Sequence, residues 1–237
     1  RIGTRFDLDP QRKMAVVGTI GGGIFIHHLE SPRLFAPVAP KQSWRHVAFD
    51  PSGARLILAS TDGTVGVMDC RTRRLKYTVE GNGSHPQQLF VSAKTDDLWI
   101  EDGNGLRSIA LEAPGQRQLI NGARCVAMSH DGSLLAFVKG NSAKPELSVL
   151  DLRNSRESHK LDLPFDLLQL AFSDRRQILF GLDESQQPLV IDLEQAAVDK
   201  LDWPQSSQLE SITTLRWING RLLLASGSNI YSFDMSN

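Results

Sequence analysis

The stretch from Trp44 to Gly81 reads WRHVAFDPSGARLILASTDGTVGVMDCRTRRLKYTVEG. Val47 and Phe49 alternate with Ala48, the two-residue period of a strand. Asp50-Pro51-Ser52-Gly53 follows; Pro presets φ and Gly is free to take a positive one, so the chain turns tightly there. Leu56 to Ala59 is a continuous apolar run, as in a strand buried on both faces. Asp62-Gly63-Thr64 is a hairpin turn of the Asp-Gly kind. Val65 and Val67 resume the alternation and Met68-Asp69 closes a third strand. Arg71 to Arg74 turn the chain, and Leu75, Tyr77 and Val79 form a fourth strand. Burying each large apolar side chain of such a unit contributes about 2 kcal/mol. Ordering its backbone costs about 1 kcal/mol or more per residue. A lone unit of this kind needs neighbours on its faces.

Those neighbours are in the sequence. Aligning each unit on the large residue that ends its first strand gives Phe6, Phe49, Val91, Met128, Phe172 and Trp217, at intervals of 43, 42, 37, 44 and 45 residues. Propeller blades repeat every 40 to 45 residues or so. The pattern predicts an all-β, six-bladed β-propeller of four-stranded antiparallel blades. Their approximate spans are 4–40, 44–81, 87–122, 124–164, 167–204 and 211–237. The last blade lacks a fourth strand within this chain. With no helical stripe and no low-complexity linker, residues 1–237 read as a single domain. The chain begins at Arg1 rather than Met, so it reads as part of a longer protein. Only four residues precede Arg5, so the missing strand of the last blade is expected either to be donated, from sequence outside this chain or by a partner, or to have been trimmed from the sequence.

The formal net charge of -1 supplies no global field toward nucleic acid or an anionic membrane. No apolar run reaches membrane-spanning length. Two cysteines, Cys70 and Cys125, are too few for a disulfide-built scaffold, which leans toward a reducing, cytoplasmic compartment. Asn82-Gly83-Ser84 matches a glycosylation acceptor and reads more simply as a turn.

The second unit resembles the WD-repeat family. It has Phe49-Asp50-Pro51-Ser52-Gly53, then Ser60-Thr61-Asp62-Gly63-Thr64-Val65, and then Met68-Asp69 where that family has Trp-Asp. The apolar-Asp ending recurs at Leu150-Asp151, Ile191-Asp192 and Phe233-Asp234, and Ser84-His85 stands where the family has Gly-His. No unit keeps the Trp. The resemblance implies a propeller that presents rigid loops to protein partners.

The residues offer little chemistry. His27 and His28 are adjacent in a strand and point to opposite faces, so they do not share a metal. His46, His85, His130 and His159 lack ligand spacing, and His130 and His159 read as turn residues. Gly18 to Gly23 lacks a nucleotide-binding spacing and reads as a hairpin turn. Asp96-Asp97 reads as a turn between first and second strands. No catalytic residue, cofactor or metal is expected.

In a propeller the second-to-third-strand turns and the blade-to-blade links share one face. Here they carry Asp62, Glu80, Glu101, Asp102, Glu146, Asp166, Asp183, Glu184 and Asp202 against Lys41, Arg45 and Lys144. That predicts an acidic rim suited to a basic protein partner. The expected rim contacts are Arg45, Asp62, His85, Asp102, Lys144, Asp183 and Glu184. The opposite face mixes Arg71, Arg73, Arg74, Lys76, Arg153 and Arg156 with many Asp residues, which disfavours nucleic acid. The leading expectation is a non-catalytic interaction platform. One alternative is a propeller hydrolase or lactonase with His85, Asp62 and Asp102 at the channel mouth. Another is a structural module of a coat or pore assembly, completed by a partner strand.

Overall fold

The computed structural model describes residues 5–8, 13–18, 23–30, 36–38, 44–112, 115–175, 177–201, 212–218, 220–227 and 229–234. No helix among them is long and apolar enough to cross a membrane. The described residues form six antiparallel sheets, the blades of a six-bladed β-propeller, five of four strands and the last of three. Contacts divide the chain into two compact units, residues 1–122 and 123–237.

In the first unit, blade 1 is β1 (Arg5–Leu8), β2 (Met14–Gly18), β3 (Ile24–His28) and β4 (Ala36–Val38). Blade 2 is β5 (Trp44–Phe49), β6 (Arg55–Ser60), β7 (Val65–Asp69) and β8 (Arg74–Val79). Blade 3 is β9 (Pro86–Val91), β10 (Asp97–Asp102), β11 (Gly105–Ala110) and β12 (Gln116–Asn121). Each strand pairs with the next in sequence. Strand β6 shows why its sequence is apolar without alternation. Leu56 and Leu58 pack toward blade 1 with Val16, Ile24, Trp44 and Phe49. Ile57 and Ala59 pack toward blade 3 with Leu98, Ile100 and Ile109. Gly66 belongs to this packing, since a Cβ there would lie 2.8 Å from Trp44 Cη2.

In the second unit, blade 4 is β13 (Arg124–Met128), β14 (Leu134–Lys139), β15 (Glu146–Asp151) and β16 (Arg156–Asp162). Blade 5 is β17 (Leu167–Phe172), β18 (Ile178–Asp183), β19 (Pro188–Asp192) and β20 (Ala197–Lys200). Blade 6 is β21 (Ile212–Ile218), β22 (Arg221–Ser226) and β23 (Asn229–Asp234). Between blades 4 and 5 the core is Ala136, Val138, Leu147 and Val149 against Leu170, Leu179 and Ile191. Between blades 5 and 6, Phe180 stacks on Trp217 with centroids 5.0 Å apart.

Two local devices recur. Asp69, Asp151 and Asp192 end third strands, and each Oδ1 accepts a backbone N–H of the following turn. The donors are Thr72 at 2.8 Å, Arg153 at 3.0 Å and Glu194 at 2.9 Å. Each of these turns closes through a residue in the left-handed region, at Arg73 (φ 55°), Ser155 (φ 55°) and Ala196 (φ 51°). The apolar-Asp endings at Asp69, Asp151 and Asp192 are therefore turn caps. The second device is a bulge at the start of the first strand. Register shifts leave Arg45, Gln87, Leu168 and Thr213 as extra residues of β5, β9, β17 and β21. All four are exposed.

Several local expectations are corrected. His159, read as a turn residue, lies in β16 opposite Val149. Asp97 opens β10 and is buried, leaving Asp96 alone in the turn. The first strands of blades 1 and 6 run past Phe6 and Trp217 to Leu8 and Ile218. Leu34-Phe35, Gly21-Gly22, Lys41 and Asp202 lie outside the described residues.

Candidate functional site

The densest polar constellation lies at one end of blades 2 and 3 in the first unit. It is built from two hairpin turns and the link between the blades. In the β6–β7 turn, Asp62 accepts hydrogen bonds from the Ser60 hydroxyl and from Thr64 N at 2.9 Å. These bonds, Ser60 first, hold its carboxyl below the usual range. The link then folds over this turn. Gly83 N donates to Asp62 O at 2.9 Å. Gly81 sits so close that a Cβ there would fall 2.1 Å from Asp62 O.

Asn82 ties the link to blade 3. Its Oδ1 accepts Ser84 N at 3.1 Å and its Nδ2 donates to Asp102 Oδ2 at 3.0 Å. Asp102 Oδ1 accepts Asn104 N at 2.8 Å, and Asn104 Nδ2 donates to the Ser84 hydroxyl. Beneath them lies Arg107 of β11, only 3% exposed. Its Nη2 donates to Gly63 O at 2.6 Å. Its Nε faces Asp102 Oδ2 at 3.5 Å, too long for a good hydrogen bond, so that attraction is Coulombic. Burial lowers the Arg107 pKa from its ordinary value, with Asp102 opposing.

On this frame the link presents His85, exposed, with its ring edge-on to buried His46 at 5.3 Å between centroids and 79° between planes. Ser84, His85, Pro86, Gln87 and Gly103 line a shallow depression of about 310 Å³. Gln87 is the bulge residue of β9, and Arg45, beside His46, is that of β5. Bulges re-aim side chains and gather near functional sites.

Asp62, His85 and Asp102 thus join one bonded patch. Asp102 is buried beneath it, 6% exposed, where the sequence placed a rim contact. Lys144, Asp183 and Glu184 belong to the second unit. Lys144 and Glu184 are exposed, whereas Asp183 is buried and accepts Gln187 N at 2.8 Å. Two of the other carboxylates counted toward an acidic rim are paired with cations. Asp166 meets Arg124 Nη2 at 2.6 Å, and Glu146 meets Lys160 at 2.8 Å. Burial acts to raise the Asp166 pKa, but the bonds from Arg124, Leu167 N and Ser142 outweigh it and the net shift is downward. The acids left exposed on this rim, among the described residues, are Asp62, Glu80 and Glu184.

Sequence reasoning missed Arg107, Asn82, Asn104 and His46. Arg107 carried a signal: a lone Arg in the strand GLRSIA, shortly after two acids, Glu101 and Asp102. Among the described residues no three His, Cys, Asp or Glu side chains gather in a group able to hold a metal ion.

At the other end of the same blades, Arg55 of β6 binds buried Asp50 through Nε at 3.0 Å, Asp96 through both Nη atoms, and Glu112 at 3.1 Å. These partners, Asp96 first, raise the Arg55 pKa against the effect of burial. This cluster staples blade 2 to blade 3.

No protein-family model matches the chain, and no curated protein matches it. Among solved structures, 1620 chains match, which identifies a widely used architecture. One of them is Kuenenia stuttgartiensis hydrazine synthase. It has a TM-score of 0.79 and 14% sequence identity, and the match covers 98% of this chain and 76% of that one. At that identity the likeness is one of fold.

Proposed function

We propose that this chain is a non-catalytic protein-interaction platform, related to WD-repeat propellers, whose contact surface is the rim of blades 2 and 3. The observation that carries the reading is the bonding of the 81–87 link. Asp62 O and Asn82 Oδ1 accept the backbone N–H groups of Gly83 and Ser84, Asp102 holds the Asn82 side chain, and Arg107 holds the Gly63 turn beneath; His85 and Gln87 stand exposed on the link, and Arg45 on β5. A rim already ordered before contact loses little conformational entropy on docking. The WD-repeat kinship rests on the Asp-Gly turn and the capping Asp residues.

In the alternative enzyme reading, His85 works with Asp62 and Asp102. The partners of Asp62 are Ser60 and Thr64, those of Asp102 are Asn82, Asn104 and Arg107, and the ring His85 meets is His46. No observation lifts that reading above the platform. The test is affinity capture with the wild-type chain and with the triple variant Arg45→Glu, His85→Ala, Gln87→Ala. These side chains are exposed, so the fold is expected to persist. Specific partners lost by the variant support the platform; equal capture by both contradicts the assigned rim.

A further inference from the structure

The end of blade 2 remote from that rim carries a concentration of positive charge. Arg71, Arg73, Arg74 and Lys76 fall within the β7–β8 turn and the start of β8, and all four are exposed. The acid within their own turn is Asp69, while Asp50, Asp96 and Glu112 at this end are bound to Arg55. Asp69 Oδ1 is spent on Thr72, and Oδ2 lies 3.9 Å from Lys76. The corresponding turn of blade 4 carries fewer cations: Arg153, bonded twice to Asp151, and Arg156. In blade 5 the equivalent turn carries Glu194, Gln195 and Ala196. Of these three turns, that of blade 2 carries the largest excess of cations, in a chain whose formal net charge is -1.

The position of these residues defines the ligand further. β8 is the outer strand of its sheet, which runs β5-β6-β7-β8. Its outward edge presents backbone donors and acceptors along Arg74–Val79, with Leu75 43% exposed between two cations. Lys76 is the extra residue of a bulge against β7. Edge lysines and bulges deter pairing with a like strand, so a second copy of this chain, bringing four more cations, is disfavoured. An acidic strand is attracted by the same charges.

We propose that the β8 edge and its turn are a second contact surface, one that takes an extended acidic segment of a partner protein. The segment aligns along β8 by main-chain hydrogen bonds and sets its carboxylates against Arg73, Arg74 and Lys76. Open main-chain groups favour a polypeptide over nucleic acid, and no exposed aromatic ring lies in this turn to stack a base.

The test uses the full chain, isotope-labelled, and a peptide of about ten residues alternating Glu and Thr. Its comparators are the same peptide with alternate backbone nitrogens methylated, and oligo-dT. The expected result is saturable amide shifts confined to residues 71–79, weakening as salt rises. Methylation of the peptide backbone abolishes them. Arg73→Glu with Arg74→Glu weakens the affinity by at least about tenfold. Binding of oligo-dT in preference to the peptide, equal binding of the methylated peptide, or shifts centred elsewhere overturns the proposal. The rim triple variant keeps this binding, so failure here and failure of the rim are distinguishable.

Discussion

Arg107 donates Nη2 to the carbonyl of Gly63 at 2.6 Å, joining a strand of blade 3 to the hairpin turn of blade 2. The guanidinium is almost wholly buried, and its charge is balanced by Asp102 beside it.

Removing that charge leaves Asp102 buried without its counter-ion. Arg107→Met is expected to cost about 3 kcal/mol, since breaking one side of a buried pair is worse than lacking the pair. Urea unfolding followed by tryptophan fluorescence reads this directly. A near-neutral result would mean that the pair does not hold the rim.

The two glycines of the link make a graded prediction. Gly81→Ala drives a Cβ to 2.1 Å from Asp62 O, so the link has to move. Overpacking of this kind costs about 1–3 kcal/mol. Gly83→Ala meets no atom within 4 Å and is strained only by its φ of +81°; the left-handed penalty is about 1 kcal/mol. The Gly81 variant is expected to be the less stable of the two by thermal unfolding.

Acid pH acts through Asp166. Burial raises its pKa, but Arg124, Leu167 N and Ser142 favour the ionised form enough to hold its folded carboxyl below the usual carboxylate range. Such a group contributes stability that is fully present above its unfolded pKa. That contribution is lost as pH falls through the folded value. Arg124→Ala is expected to raise the Asp166 pKa and flatten the loss of stability on the acid side. Carboxyl-carbon NMR titration of the two proteins measures it.

The turn caps are testable one by one. Asp192→Ala removes the acceptor for Glu194 N and Gln195 N, at 2.9 and 3.0 Å. These groups are exposed, so water replaces the bond and the cost is about 1 kcal/mol. Hydrogen exchange is expected to quicken at those two amides while the core of blade 5 keeps its protection.

How much of this the sequence carried depended on whether the deciding interaction was local. Asp50-Pro51-Ser52-Gly53 and Asp62-Gly63 announce their turns because Pro, Gly and Asp act within a few residues. Leu56 to Ala59 announces a strand between two neighbours because both faces are apolar. Four of the six alignment residues, Phe49, Val91, Met128 and Phe172, end their strands in the structure. The course of β16 was illegible, and His159 read as a turn residue, because RESHKLD is an outer strand with a single large apolar residue. The bulges at Arg45 and Gln87 were hidden because one added residue only shifts an alternation. Asp102 read as a solvated turn acid; its burial depends on Arg107 in the adjacent strand and Asn82 in the link between blades.

The central claim is that the rim of blades 2 and 3 touches a protein partner. A photo-crosslinking amino acid at Gln87, in the depression beside His85, tests it most directly in the source cells. The same group at Ser158, exposed on the outer strand β16, is the comparator. The account predicts a discrete crosslinked partner from position 87 that is absent from position 158 and lost when Arg45→Glu and His85→Ala are added. No adduct at 87, or the same adducts from both positions, would contradict it.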